Sequence, residues 1–305
     1  MKENVSFNID KLTKEKMLQH YASYQNEIKG DYIIFSASLN PSLTLIIYSS
    51  KKGYKAYFSG ENALQEARLW DKEVNIKLPK EKEQFEWINL KSQIGSDEVG
   101  TGDFFGPVIV VAAFIKEEQI EYLRTLGVDD SKKLSDNKIL EIVPSLLKCV
   151  TYSMLCLDNV TYNQQIQKGE SMNSLKAILH NQALLNVTKK INRKDIPLFI
   201  DKFCEENLFF HYCRNQKELI KGATFKTKGE SLFPSVAVAS LIARYTFIKK
   251  MEELSSIYQM PFPKGASLTV DEFASSFIKK YSKEELYKVC KTNFVNYKKI
   301  GAVKK

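Results

Sequence analysis

Hydrophobic and polar positions change rhythm several times along the chain. After Asp10, apolar residues recur at helical spacing for about 20 residues, which predicts an amphipathic helix capped by Asp10 or Thr13 and ended by Gly30. Three short β-rich runs follow, Tyr32–Leu39, Leu43–Tyr48 and Tyr54–Phe58, with turn residues Asn40-Pro41 and Ser49–Gly53 between them. That pattern predicts an antiparallel meander. Glu61–Trp70 reads as helix again, and this unit closes near residue 75 without needing any later segment. Residues 71–91, rich in Lys and Glu, read as a linker.

A second block opens with a strand at Gln93–Asp97, a glycine-rich turn and a strongly apolar strand, Val108–Ile115. Further strands are expected at Cys149–Leu157 and, fully buried, at Pro197–Ile200. Met172, Leu175, Leu179, Ala183 and Val187 recur at spacings of three and four, which predicts a long helix. Ser235–Met251 packs small and branched residues as densely as a core helix does. Strands interleaved with helices, with antiparallel neighbours early on, imply an α/β domain around a mixed sheet. The expected division is an N-terminal domain over residues 1–85 and a second domain over 90–305. There is no internal repeat and no low-complexity tract.

Composition narrows the class. A chain of 305 residues with 44% hydrophobic content has ample material for a core, which excludes a disordered protein. No apolar run approaches the ~18 residues of a membrane helix, and the polar start is not that of a signal peptide. Five cysteines without a CxxC pair argue against a disulfide framework or zinc cluster. A basic, cytoplasmic protein is expected. The net charge of +9 raises nucleic acid as a partner without demanding it. Residues 1–90 carry 13 Lys+Arg against 12 Asp+Glu, so nearly all the excess lies in the second domain.

The most informative segment is Asp97-Glu98-Val-Gly-Thr-Gly-Asp-Phe-Phe-Gly-Pro107. Adjacent strand residues point to opposite faces, so both acids reach one point only if the turn bends the backbone there. Gly100, Gly102 and Gly106 supply that freedom and leave room for a ligand. A dinucleotide-binding reading fails, because GxGxxG from Gly100 needs glycine where Phe105 stands. Asp201 ends a second apolar strand; it is either a site acid or salt-bridged, for instance to Lys202. Glu230 precedes a helix starting at Ser231 or Pro234, where capping is the alternative explanation. Clustered carboxylates without His or Cys partners suit a hard divalent cation such as Mg²⁺. Two such ions about 4 Å apart support phosphodiester hydrolysis. The three histidines are too scattered for zinc, and His180 alone sits near an interesting face.

Asp97-Glu98-x-Gly-Thr-Gly102 with Phe105-Gly-Pro107, then Asp129-Asp-Ser-Lys-Lys-Leu-Ser135, resembles the type 2 ribonucleases H. Asn173–Asn181 and Pro263–Ala266 are similar to the same family. Gly-Thr-Gly, where ribonuclease HII shows Gly-Arg-Gly, and the long N-terminal extension point to ribonuclease HIII. The resemblance implies a ribonuclease-H-like catalytic domain plus a small α+β domain like the TATA-box-binding protein. It implies an endonuclease cutting the RNA strand of RNA/DNA hybrids, with 5′-phosphate and 3′-hydroxyl ends and Mg²⁺ or Mn²⁺, two ions, as cofactor. Asp97, Glu98 and Asp201 match the family's metal acids. Glu230 stands where ribonuclease HII has Asp, so it reaches the second ion directly or through water. No obligate protein partner is indicated, and a monomer is expected.

With that resemblance, the backbone of Gly100-Thr101-Gly102 becomes a candidate reader of the 2′-hydroxyl. Ser131, Lys132 and Lys133 are either a phosphate grip or a solvated loop. Asn173, Lys176 and His180 offer a polar stripe toward substrate, or merely an exposed surface. In the first domain Lys51, Lys52, Tyr54, Lys55 and Tyr57 share one hairpin, a candidate groove-binding platform on a nearly neutral domain.

Overall fold

The computed structural model describes residues 3–28, 33–50, 53–74, 87–193 and 195–302. Contacts divide the chain into two compact units, Met1–Gln84 and Phe85–Lys305.

The first unit is a four-stranded antiparallel sheet with helices on one face. It runs β1 (Glu3–Ile9), α1 (Lys11–His20), β2 (Ile33–Asn40), β3 (Leu43–Ser50), β4 (Gly53–Gly60) and α2 (Ala63–Arg68). Strand order is β1-β4-β3-β2. The meander expected from the turn residues is present, and β1 is an addition to it. Its alternation of Val5, Phe7 and Ile9 with Asn4, Ser6 and Asn8 puts the first set in the core. Asp10 caps α1 through the N–H of Thr13 at 2.7 Å. The helix stops at Tyr21 and does not reach Gly30, which lies outside the described residues. Beyond Tyr21 the backbone leaves the helix to join the sheet, with Gln25 bridged to Ala37 and the Asn26 N–H donating to Ser36 O at 2.8 Å.

The second unit is built on a mixed sheet of five strands, ordered β7-β6-β5-β8-β9. They are β5 (Gln93–Val99), β6 (Val108–Ile115), β7 (Thr151–Leu157), β8 (Leu198–Asp201) and β9 (Ala223–Lys226). β5, β6 and β7 are antiparallel neighbours, whereas β8 runs parallel to β5 and β9 parallel to β8. Helices α3 (Ile120–Thr125), α4 (Asp136–Cys149), α5 (Asn159–Gln167), α6 (Met172–Ile191), α7 (Glu206–Tyr212) and α8 (Pro234–Tyr258) come next in chain order. α9 (Leu268–Lys280), α10 (Lys283–Val289) and α11 (Val295–Ala302) complete the unit.

β6 is buried along its whole length because both of its faces are covered. Ile109, Val111 and Ala113 join the core of α4 and α8, while Val110, Ala112 and Phe114 join that of α6 and α7. At the sheet's outer edge, Lys190 of α6 donates to the Tyr152 carbonyl of β7 at 2.6 Å. β9, an unexpected short strand, forms the opposite edge. Among the described residues no helix is long and apolar enough to cross a membrane.

The helix α8 approaches β5 unusually closely at Gly95, two residues before the acidic pair. A Cβ there would stand 2.4 Å from both Ser235 Oγ and the backbone nitrogen of Val236. Gly95→Ala is therefore expected to lower the free energy of unfolding by about 1–3 kcal/mol through overpacking. Urea denaturation checks this; an unchanged midpoint would show that α8 can yield at no cost.

Candidate active site

Asp97, Glu98 and Asp201 lie at the strand ends where β5 and β8 finish side by side, and Glu230 follows on a turn bonded to Asp201. Ser96 lies opposite Ile200 in the parallel pair, which brings Asp97 next to Asp201. β5 stays extended through Val99, so Asp97 and Glu98 keep opposite faces and do not converge by a bend between them. Asp97 turns toward α8, where Ser240 helps offset the rise of its carboxyl. Glu98 turns toward α6. Asp201 accepts the N–H of Gly229 at 2.7 Å, which ties it to the 3₁₀ turn Gly229–Ser231 that carries Glu230. α8 then begins at Pro234, with its fixed φ suited to the first helical position.

The environments of these acids differ sharply. Glu98 has both oxygens engaged, Oε1 by Lys176 Nζ at 2.8 Å and Oε2 by His180 Nε2 at 2.9 Å. His180 Nδ1 in turn meets Ser96 Oγ at 2.8 Å. Phe203 covers this group, 4.0 Å from Lys176 Nζ and 5.2 Å from the His180 ring, centroid to atom or ring. Burial alone would raise the Glu98 carboxyl, but His180 and Lys176 outweigh it and hold the group below the usual range. Asp97 has no such partner. Burial first, then repulsion from Glu98 and Asp201, pushes its carboxyl up. Burial likewise raises Asp201, opposed by the Gly229 N–H. Buried Glu230 forms an ion pair with Lys132, whose own side chain is largely exposed.

As arranged, no group of three or more His, Cys, Asp or Glu side chains among the described residues converges as a metal site. Lys176 and His180 hold the oxygens of Glu98, and Lys132 pairs with Glu230. The donor chemistry still fits a hard divalent cation, because all four acids offer oxygen and the repulsion from Glu98 that helps raise Asp97 and Asp201 is of the kind a cation relieves.

The turn beside the acids is shaped by two glycines at positive φ. Gly100 (φ +86) leaves no space for a Cβ, which would stand 2.2 Å from Pro107 O, and Gly106 (φ +81) is crowded by Met251. Gly102 differs: it is exposed, and a Cβ there would meet nothing within 4 Å. The space over Gly102 is open to a ligand.

The sequence signature described as Ribonuclease HII matches residues 94–297. Ribonuclease HIII of Bacillus anthracis is 38% identical over 98% of this chain and 98% of its own length. The chain belongs to the ribonuclease HIII family. Ribonuclease HIII of Bacillus cereus is 39% identical over 93% of this chain and 94% of its own. The crystal structure of Bst-RNase HIII in complex with Mn²⁺ superposes with a TM-score of 0.69 at 32% identity, covering 98% of both chains. The expected α/β, ribonuclease-H-like architecture is thereby confirmed, and the protein is an enzyme of the ribonuclease H type.

Side-chain placement changes several expectations about the candidate contacts. Lys176 and His180 do not form an exposed surface; both are buried against Glu98. Asn173, one turn earlier on α6, is half-buried. Ser131 is buried too, in a 3₁₀ turn over Val128–Lys133, and its carbonyl accepts from Arg244 at 2.8 Å. Lys132 and Lys133 remain exposed on that turn. Asp201 does not pair with Lys202, whose ammonium meets Glu205. In the first unit Tyr54 lies on the helix-covered face, with Lys14 Nζ 4.6 Å from its ring centroid. Strand alternation therefore separates Tyr54 from Lys55 and Tyr57, which share the open face. Lys51 and Lys52 lie outside the described residues. Ser96, Phe203 and Ser240 were not singled out from sequence. Only the i,i+4 spacing of Lys176 and His180 hinted at a shared contact.

A buried carboxylate crowded by two others is a burden on the fold. In protein stripped of divalent cations, Asp97→Asn is expected to stabilise the fold by on the order of 1–2 kcal/mol near pH ~7.5. The folded carboxyl is raised above its unfolded value, so wild-type stability falls as pH rises, and the advantage of the variant shrinks toward pH ~4. Denaturant titrations with EDTA across that range decide; a variant less stable at every pH would contradict the repulsion.

Proposed function

We propose that the protein is an endonuclease that hydrolyses the RNA strand of RNA/DNA hybrids, using two divalent cations, Mg²⁺ or Mn²⁺, held by Asp97, Glu98, Asp201 and Glu230. The single observation that supports this best is the placing of Asp97 and Glu98 beside Asp201, with Glu230 on the turn bonded to it and an open glycine turn next to them, in a chain of the ribonuclease HIII family. The Mn²⁺ complex of Bst-RNase HIII supports the choice of ion class. Bound cations supply Lewis-acid activation of water and charge stabilisation at phosphorus, leaving 5′-phosphate and 3′-hydroxyl ends.

The chain's own residues do the positioning. Lys176 and His180 keep Glu98 ionised and fixed in direction, with Ser96 orienting the imidazole. Gly100-Thr101-Gly102 present backbone groups where a ribose can come close, and the 2′-hydroxyl can be both donor and acceptor to them. Lys132, on the rim beside Glu230, is placed to meet a phosphate, with Lys133 next to it. Asn173 is a further candidate contact.

In this reading residues 90–305 are the catalytic domain and residues 1–85 bind substrate. The open face of the first sheet carries Lys55, Tyr57, Thr44, Tyr48, Ser36 and Ser38 on its central and β2 strands, and none of these strand positions is acidic. Small hydroxyls and two tyrosines suit the sugars and edges of a duplex groove, while the near-neutral charge of the domain implies a weakly salt-dependent contact there. The enzyme acts on the hybrid as a cytoplasmic monomer without an obligate protein partner.

A labelled RNA/DNA hybrid with Mg²⁺ or Mn²⁺ tests the activity. Internal cuts in the RNA strand are expected, and Asp97→Asn is expected to slow them at least about 100-fold. Cleavage by that variant at the normal rate would overturn the site. A duplex with one embedded ribonucleotide should be cut poorly; efficient cutting there would instead favour a ribonuclease HII specificity.

For the first domain, the double substitution Tyr48→Ala and Tyr57→Ala is expected to raise KM for the hybrid by roughly 3–10-fold with kcat nearly unchanged. Steady-state kinetics at fixed salt give the answer, and an unaltered KM would remove the open face from substrate binding.

A further inference from the structure

A buried cation lies away from the acid cluster. Lys291, just past α10, has 0% relative exposure. Its ammonium is directed at backbone, donating to Asp103 O at 2.9 Å and to Gly106 O at 2.5 Å. The Asp103 carboxylate is occupied elsewhere, accepting the Gly265 N–H at 2.6 Å. Enclosing a lysine this way is unfavourable: burial pushes its ammonium down to about 7, against the opposing pull of Asp103. An apolar side chain would fill the same space without that cost.

What a lysine adds is reach and two donated hydrogens. Asp103–Gly106 is the return limb of the glycine turn, and Lys291 binds both of its ends. The backbone is joined there as well, with the Lys291 N–H donating to Phe104 O at 2.9 Å and the Gly106 N–H to Val289 O at 3.0 Å. Phe105 and Cys290 form an antiparallel bridge between those bonds. Asn159 of α5 donates a second bond to Gly106 O at 2.9 Å. The outward limb leaves β5 at Gly100, which packs directly against Pro107 O, and the Asp103 N–H donates back to Gly100 O at 3.4 Å. The two limbs are thus joined, and the outward one is positioned in part by the limb that Lys291 holds.

We propose that Lys291 is a positioning residue of the active site: by fixing Asp103–Gly106 it sets where Gly100-Thr101-Gly102 present their backbone to the RNA strand. What the turn touches rests on the proposed hybrid-cleaving function; the lock itself does not. Asp97, Glu98 and Asp201 are held by strands β5 and β8, so cation binding is insulated from Lys291 while substrate placement is not.

The test is Lys291→Met in the full chain, read three ways. Amide exchange over residues 100–107 should quicken by about tenfold or more. The affinity for Mn²⁺ by calorimetry should stay within about twofold, while kcat/KM on a labelled hybrid falls roughly 10–100-fold, mostly through KM. Unchanged exchange in 100–107 would overturn the lock, and so would parallel losses of melting temperature, Mn²⁺ affinity and kcat with KM intact. Should the wild-type enzyme leave the hybrid uncut, the functional reading fails and the exchange measurement alone still decides the lock. If the Met variant does not fold, Asn159→Leu removes the other donor to Gly106 O. It should quicken exchange in the same segment and raise KM in the same direction; no change in either would overturn the anchoring of Gly106.

Discussion

Like charges forced together at low dielectric are the constraint on which this structure turns. Asp97, Glu98 and Asp201 stand at neighbouring strand ends beneath the surface, where mutual repulsion is screened far less than in water. The same repulsion is resolved in two ways within one cluster. Glu98 receives a lysine and a histidine on separate oxygens and remains an anion, while Asp97, one residue earlier, receives only Ser240 and its neighbour's backbone N–H. The site thus holds one carboxylate neutralised by protein cations and one, Asp97, on which burial and its acidic neighbours act without such a partner.

Strand geometry makes this division possible. Because β5 does not bend at the acidic pair, each acid is served by a different layer of the domain: Asp97 by α8 and Glu98 by α6. The two layers are otherwise joined through β6, which is apolar on both sides. A fully covered central hairpin is what allows two opposed faces to deliver charge to one strand end.

Much of the architecture was legible in the sequence, because local rules governed it. The meander of the first unit followed from its turn residues, and β5, β6 and β8 from apolar runs ended by glycine or acid. The motif of Asp97-Glu98 with its glycines carried the family. Where local reading failed, a distant partner was responsible. The helix after Asp10 stops at Tyr21 because the following backbone pairs with β2. Lys176 looked like a surface cation because nothing near it in sequence shows that Glu98 is its partner. Tyr54 and Tyr57 read as one platform until the pleat set them on opposite faces. The short β9 has only four residues, and it is defined by pairing with β8 rather than by its own pattern.

The bond between Lys291 and Gly106 spans 185 positions of sequence. During synthesis, β5, β6 and the acids emerge and can collapse into a sheet long before the residue that ties the turn exists. Contacts of such long separation close late, since the chain entropy must be given up before they form. The anchor of the turn therefore forms only after every residue of the acid group has been made, and with the same C-terminal segment that closes the core of β6 and α8.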